Sequence, residues 1–212
     1  PKECSNSEII ELMKEGLKDQ KIIIIDYGAG NIQSIKFSIQ RLGFEAKLSS
    51  DINEIKAANK VIFPGVGEAS SAMKMLISTG LDKEIPKLKQ PVLGICLGMQ
   101  LMCNSSEEGN TKGLAIFDAE VIKFNNKLKV PQIGWNQIYD LESELFQGIK
   151  ENEYVYLVHS FYVAECEQTI ASTTYGVEYT TAIKKNNFYG VQFHPEKSSD
   201  AGEQILRNFL EL

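Results

Sequence analysis

The stretch Val92-Leu93-Gly94-Ile95-Cys96-Leu97-Gly98-Met99-Gln100 decides the fold of this chain. Its apolar start reads as a buried strand, Gly94 to Gly98 as a sharp turn, and Met99, Leu101 and Met102 as the opening of a helix. A turn of the form G-x-nucleophile-x-G needs glycine on both sides, because the backbone there is strained and closely packed. It sets the Cys96 sulfur at a helix N-terminus, where unsatisfied N–H groups and the helix dipole favour the thiolate. Far along the chain, His194-Pro195-Glu196 supplies a candidate base and its orienter. In an extended segment residues two apart point the same way, and Pro195 stiffens the span between them. Cysteine, histidine and carboxylate together point to covalent acyl transfer.

Working outward, Lys21-Ile22-Ile23-Ile24-Ile25-Asp26 is nearly all β-branched, ends in Gly28-Ala29-Gly30, and precedes a periodic helix over residues 31–42. Residues 44–48, 61–63 and 92–95 repeat the pattern of a short apolar run followed by a turn or helix. This alternation predicts an α/β fold of three layers, a mostly parallel sheet with helices on both faces. From about Glu120 the texture changes to closely spaced strand-like runs at 120–124, 154–158, 169–174, 179–183 and 188–193, which predicts a mixed or antiparallel extension. A closing helix over 201–210 puts Ile205, Leu206, Phe209 and Leu210 on one face. Residues 1–20 stand apart as an extension: Ser5 with Glu8 fits a capping box, and Ile9, Met13 and Leu17 line one helical face. Residues 21–212 are expected to form one domain.

Composition narrows the function classes. A net charge of −6 without any Lys/Arg cluster argues against a general nucleic-acid binder. The apolar runs are far too short to span a bilayer, and no secretory leader pattern is legible. The four cysteines (Cys4, Cys96, Cys103, Cys166) form no CxxC pair, so free thiols in a reducing cytoplasm are expected. Two histidines and scattered cysteines give no zinc-binding pattern, and no metal is expected.

Several residues compete for roles. Cys103 lacks the glycine-flanked setting of Cys96 and reads as small apolar filler, while Cys4 and Cys166 have no motif around them. His159 ends the strand-like run Tyr154-Val155-Tyr156-Leu157-Val158, near the expected pocket. His194 has a carboxylate two residues away that fixes its tautomer and stabilises the imidazolium, so it is assigned as base and His159 as support. Pro64-Gly65-Val66-Gly67 closes the 61–63 strand; beside a nucleophile such a loop can turn backbone N–H groups toward an oxyanion, with the Leu97 N–H as second donor. Gly28-Ala29-Gly30-Asn31-Ile32-Gln33 begins like a dinucleotide fingerprint, but Gln33 replaces the third glycine and no nicotinamide or flavin site is expected.

The Cys96 turn with His194-Pro195-Glu196 resembles the class I (triad) glutamine amidotransferases. Within that class five stretches are similar to the glutaminase-subunit family of imidazole glycerol phosphate synthases: Asp26-Tyr27-Gly28-Ala29-Gly30-Asn31, Pro64-Gly65-Val66-Gly67-Glu68-Ala69, Pro131-Gln132-Ile133-Gly134-Trp135-Asn136, Val158-His159-Ser160-Phe161 and Tyr189-Gly190-Val191-Gln192-Phe193-His194-Pro195-Glu196-Lys197-Ser198. The resemblance covers residues 22–212 and leaves the extension outside it. It implies the flavodoxin-like amidotransferase fold, no cofactor, and glutamine hydrolysis through a Cys96 thioester, with His194 oriented by Glu196 moving the proton. It further implies Val66, Gly67 and Leu97 at the oxyanion hole, and Gly67, Gln100, Glu108 and Ser160 around the glutamine. Glu108 suits the substrate ammonium, whereas Glu107 reads as a solvated loop acid. The implied partner is a (β/α)8-barrel cyclase in a heterodimer, which takes up the ammonia and makes imidazole glycerol phosphate and AICAR for histidine biosynthesis. Trp135, Asn136, Tyr156 and Lys197 match positions facing it. Two other readings stay open: a paralogous glutaminase feeding amidination of a surface-polysaccharide sugar, and a non-catalytic regulatory subunit.

Overall fold

Four successive isoleucines, Ile22–Ile25, form β1, and all four are buried. Burial on both faces marks a central parallel strand, and β-branching suits the pleat. The computed structural model describes Gly16, residues 19–28 and residues 30–212; most of the N-terminal extension, with its capping box and Cys4, lies outside the described residues, as does Ala29. After β1 the chain alternates α1 (Ile32–Arg41), β2 (Ala46–Ser49), α2 (Ile52–Lys56), β3 (Lys60–Phe63), α3 (Ala69–Thr79), α4 (Leu81–Glu84), β4 (Val92–Ile95) and α5 (Leu97–Leu101). There follow β5 (Ser105–Ser106), β6 (Thr111–Lys112), β7 (Glu120–Lys123), β8 (Gln132–Ile138), β9 (Glu153–His159), β10 (Phe161–Val163), β11 (Thr169–Thr174), β12 (Glu178–Lys185), β13 (Phe188–Val191) and α6 (Ser199–Leu210).

The main sheet runs β2-β1-β3-β4-β13-β12-β10-β7-β5-β6, with β11 paired to β12. Strands β2, β1, β3, β4 and β13 are mutually parallel. From β13 to β12, β10 and β7 the pairing is antiparallel. Side-chain alternation sorts the core into two layers. Ile23 and Ile25 join Val61, Phe63 and the buried face of α3 on one side. Ile22 and Ile24 join Leu93, Ile35 and Ile39 of α1, and Ile205, Leu206, Phe209 and Leu210 of α6 on the other. Among the described residues no helix is long and apolar enough to cross a membrane.

The structure departs from the expected pattern in three places. The run at 188–193 joins the two halves of the sheet: β13 lies beside β4 as a fifth parallel strand, with Val191 level with Ile95, and pairs antiparallel with β12. The strand after α1 begins at Ala46, because Phe44 packs into the core from the turn. Finally, β8 and β10 lack a legible signal. In β8 the sequence QIGWNQI carries glycine and three amides, and the strand forms through its pairing with β9 in a separate two-stranded sheet.

Candidate active site

The C-terminal ends of β3, β4 and β13 converge, and the chemistry-bearing residues sit in the loops just beyond them. Cys96 occupies the residue between β4 and α5 at φ +54°, a left-handed conformation that non-glycine residues rarely adopt. Its neighbour Gly98 explains how the turn is tolerated. A Cβ there would sit 1.9 Å from the Phe63 carbonyl oxygen, so only glycine lets α5 press against the end of β3. As the first residue of α5, Leu97 has no intrahelical acceptor for its N–H.

His194 leaves β13 through Gln192 and Phe193 and is 3% exposed. Its Nδ1–H donates to Glu196 Oε1 at 2.8 Å, and the Glu196 side chain is fully buried. The other carboxylate oxygen, Oε2, has no partner among the described residues. Burial by itself lowers the pKa of the His194 imidazole, but hydrogen bonds to and charges on Cys96 and Glu196 outweigh it and raise the value to about 10. Its interactions with Cys96 and Glu196 therefore favour the protonated ring.

The other histidine is a different kind of group. His159 Nδ1–H donates to the Phe161 carbonyl at 2.7 Å, and Nε2 lies 3.2 Å from the Tyr179 hydroxyl. Burial lowers its pKa to about 4; the Phe161 carbonyl opposes this and the nearby His194 charge adds to it. It is a neutral, fully engaged ring in the pocket wall, which suits support and not proton transfer.

A cleft of about 320 Å³ opens over Cys96 and is lined by Val66, Gly67, Leu97, Gln100, Glu108, Ser160 and His194, with Pro131, Val158, His159 and Phe161 completing its walls. Gln100 is buried, and its Nε2 is committed to the Phe161 carbonyl (2.9 Å) and to Gln192 Oε1 (2.8 Å). Glu108 is half-buried, and its Oε2 accepts from Ala69 N–H at the start of α3, 2.9 Å away. Burial raises its pKa, the Ala69 hydrogen bond opposes the rise, and Glu68 adds to it. Glu107 is exposed, as expected, although its carboxylate also accepts from Lys123 N–H at 2.7 Å. Cys103 is fully buried in the core, and Cys166 packs at its margin. Among the described residues no group of three His, Cys, Asp or Glu side chains could hold a metal ion.

The β8–β9 hairpin presents a second surface beside the cleft. Trp135 pairs across the strands with Tyr156, their rings 6.0 Å apart, and Lys197 Nζ lies 6.0 Å above the Tyr156 ring. Trp135 is 52% exposed, and Ile133 and Tyr154 share its face at 63% and 51%. Asn136 departs from the expected grouping. Strand alternation turns it to the opposite face, where Nδ2 donates to the Thr174 carbonyl at 3.0 Å.

Three further residues at the site lie within the family-like stretches, but the sequence assigns them no role of their own. Gln192 and Gln132 are buried amides whose roles emerge only from their partners. Tyr27, just after β1, donates its hydroxyl hydrogen to the Pro64 carbonyl at 2.7 Å and so anchors the glycine loop.

Comparison with known proteins gives the chain its family. The family model for glutamine amidotransferase class-I matches residues 23–212. The chain belongs to the class-I glutamine amidotransferase family. It is 54% identical over 195 residues to a Bacteroides fragilis protein described as imidazole glycerol phosphate synthase subunit HisH, covering 91% of this chain and 100% of that one. A Haemophilus influenzae protein of the same description is 46% identical, over 90% and 96% of the two chains. Among solved structures, a putative GMP synthase protein from Thermoplasma acidophilum superposes with a TM-score of 0.71 at 23% identity, covering 90% and 92%, a likeness of fold. PurLQS from Thermotoga maritima does so with a TM-score of 0.68 at 15% identity, covering 90% and 97%. This amidotransferase is thus an enzyme of the glutamine-hydrolysing type.

His159 gives a test of the site's electrostatics. Its pKa is depressed on folding, so between pH 6.5 and about 4 the unfolded chain binds more protons than the folded one. The stability this neutral ring contributes is full above the unfolded value and is lost as pH falls toward the folded one. The loss is on the order of 3 kcal/mol at most. Urea unfolding from pH 7 to 4 should show a flatter decline in His159→Gln than in the parent. Parallel declines would mean that His159 is not buried neutral.

Proposed function

We propose that this amidotransferase hydrolyses glutamine at Cys96 as the glutaminase subunit of a heterodimeric imidazole glycerol phosphate synthase, passing ammonia to a (β/α)8-barrel cyclase subunit. The observation that carries the reaction is that Cys96 and His194, the latter hydrogen-bonded to the buried Glu196, line one cleft with Gln100, Glu108 and Ser160. The choice of synthase is supported by the relatives described as its HisH subunit, one of which is matched over its whole length. Cys96 Sγ attacks the side-chain amide carbon of glutamine, and the negative oxygen is met by N–H groups of Leu97 and the Val66–Gly67 segment. The His194 imidazolium gives its proton to the departing nitrogen, which leaves as ammonia. The neutral ring then takes a proton from water, whose oxygen attacks the thioester and releases glutamate. Glu196 holds the ring's tautomer throughout. Glu108, with one oxygen on Ala69, offers a carboxylate to the substrate ammonium, and Ser160 and Gln100 offer polar atoms to its other end.

The reaction so written needs no metal or cofactor. The reading places the protein in the reducing cytoplasm, in keeping with Cys96, Cys103 and Cys166 as free thiols. The partner's place is the exposed face of Ile133, Trp135, Tyr154 and Tyr156 with Lys197 at its edge, an aromatic patch beside the cleft of the kind that anchors interfaces. Asn136 contributes from behind this face by fixing β8 to β11.

Cys96→Ala should abolish glutamine-dependent synthesis by the reconstituted complex and leave ammonia-dependent synthesis intact. Retained glutamine turnover in that variant would refute the nucleophile. Trp135→Ala should weaken binding to the cyclase by roughly thirtyfold, as loss of an aromatic anchor does at about 2 kcal/mol. Calorimetric titration returning the parent affinity would remove the hairpin face from the interface.

A further inference from the structure

We infer that Gln192 is a further catalytic residue of the glutaminase site: its side-chain amide donates a hydrogen bond to Cys96 Sγ and holds the sulfur as an acceptor. The inference rests on the proposed reaction at Cys96 and adds to it a group that the Cys-His-Glu arrangement does not include.

The sheet places the two residues together. Val191 and Ile95 are level in the parallel pair β13–β4, so the residues that follow them, Gln192 and Cys96, leave the sheet side by side. Gln192 is fully buried, where an amide without partners would be costly. Its Nε2 lies 3.7 Å from Cys96 Sγ, and its Oε1 lies 2.8 Å from Gln100 Nε2. The orientation of both amides follows from one fixed point. Gln100 Nε2 is 2.9 Å from the Phe161 carbonyl, which can only accept, so that end of Gln100 is the NH₂ group. The same nitrogen donates to Gln192, whose oxygen must therefore face Gln100 and whose NH₂ must face the sulfur.

This relay distinguishes the two states of the nucleophile. The Val158 carbonyl, 3.9 Å from Sγ, can accept from a thiol and repels a thiolate. Gln192 does the reverse, since a donor is satisfied better by sulfur that carries charge. The relay also reaches the cleft: Gln100 lines it, and a substrate group bound to Gln100 polarises the amide that sets Gln192. Binding of glutamine and readiness of the sulfur are thereby coupled through two side chains.

The test is the pH profile of Cys96 alkylation by iodoacetamide, located by peptide mass spectrometry in the full chain. It compares the parent, Gln192→Glu and Gln192→Met, alongside thermal unfolding and glutamine turnover with the cyclase. Glu keeps the shape and the acceptor for Gln100 but removes the donor; Met removes the donor without adding charge. In both variants the alkylation midpoint should rise by about one pH unit or more, and kcat for glutamine should fall about tenfold or more with a smaller change in KM. Unchanged midpoints overturn the inference, as does a rise confined to Gln192→Glu, which reports added charge alone. If neither variant folds, the Gln192 side-chain amide resonance of the parent must shift on alkylation of Cys96; a stationary resonance overturns it equally. Lack of glutamine turnover by the parent complex would refute the glutaminase reading, while the alkylation profiles would still judge the Gln192–Cys96 bond.

Discussion

The hydrogen bond from Cys96 N–H to the Val191 carbonyl, 2.8 Å long, joins the ends of two parallel strands that lie nearly a hundred residues apart in the chain. Because β4 and β13 stop at the same level, whatever follows them must converge. Cys96 and Gln192 come first, and His194 follows after one turn of backbone. His194 is then pinned by its own N–H to the Tyr156 carbonyl at 3.0 Å and by Ser198 Oγ on its carbonyl at 2.7 Å. On the other side, the bare Cα of Gly98 lets α5 touch the end of β3, which brings the Pro64–Gly67 loop to the same place. Three strand ends, one shared level and one glycine thus assemble the cleft.

The two described histidines show how position and partners, not residue type, set a proton's affinity. Both are almost wholly buried, and burial alone would make both neutral. His194 faces a buried carboxylate and the Cys96 sulfur, and its interactions with them more than offset the lost hydration. His159 faces a carbonyl, a phenol and an amide, which bear no charge, and its ring stays neutral. The chemistry needs one ring that holds a proton and can hand it over. The other, with both nitrogens engaged, braces the wall that Phe161 and Gln132 share.

Much of this is legible in the sequence because its causes are local. The isoleucine run, the glycine-flanked cysteine and the proline-stiffened histidine and glutamate each state their geometry within a few residues. The parallel half, the closing helix and the meeting of Cys96 and His194 at one cleft follow from such signals, whereas Gln100, Glu108 and Ser160 on its walls are reached only through the family resemblance. What escapes depends on distant partners. Nothing in residues 188–193 says that this run returns to pair with β4. The β8 stretch, rich in amides, becomes a strand only against β9. Gln192 looks like any polar residue at a strand end until Gln100 and Cys96 are placed on either side of it. The family resemblance groups Asn136 with Trp135, whereas the two-residue period of a strand turns their side chains to opposite faces.

In the proposed reaction Cys96, and no other thiol, meets the side-chain carbonyl of a bound glutamine. A glutamine analogue carrying a diazoketone in place of the amide puts this to a direct measurement, with intact-mass and peptide spectrometry of the chain in complex with its cyclase. A single adduct is expected, on Cys96, formed at a rate that excess glutamine suppresses. An adduct on Cys103 or Cys166, or labelling of Cys96 that glutamine does not slow, would contradict it.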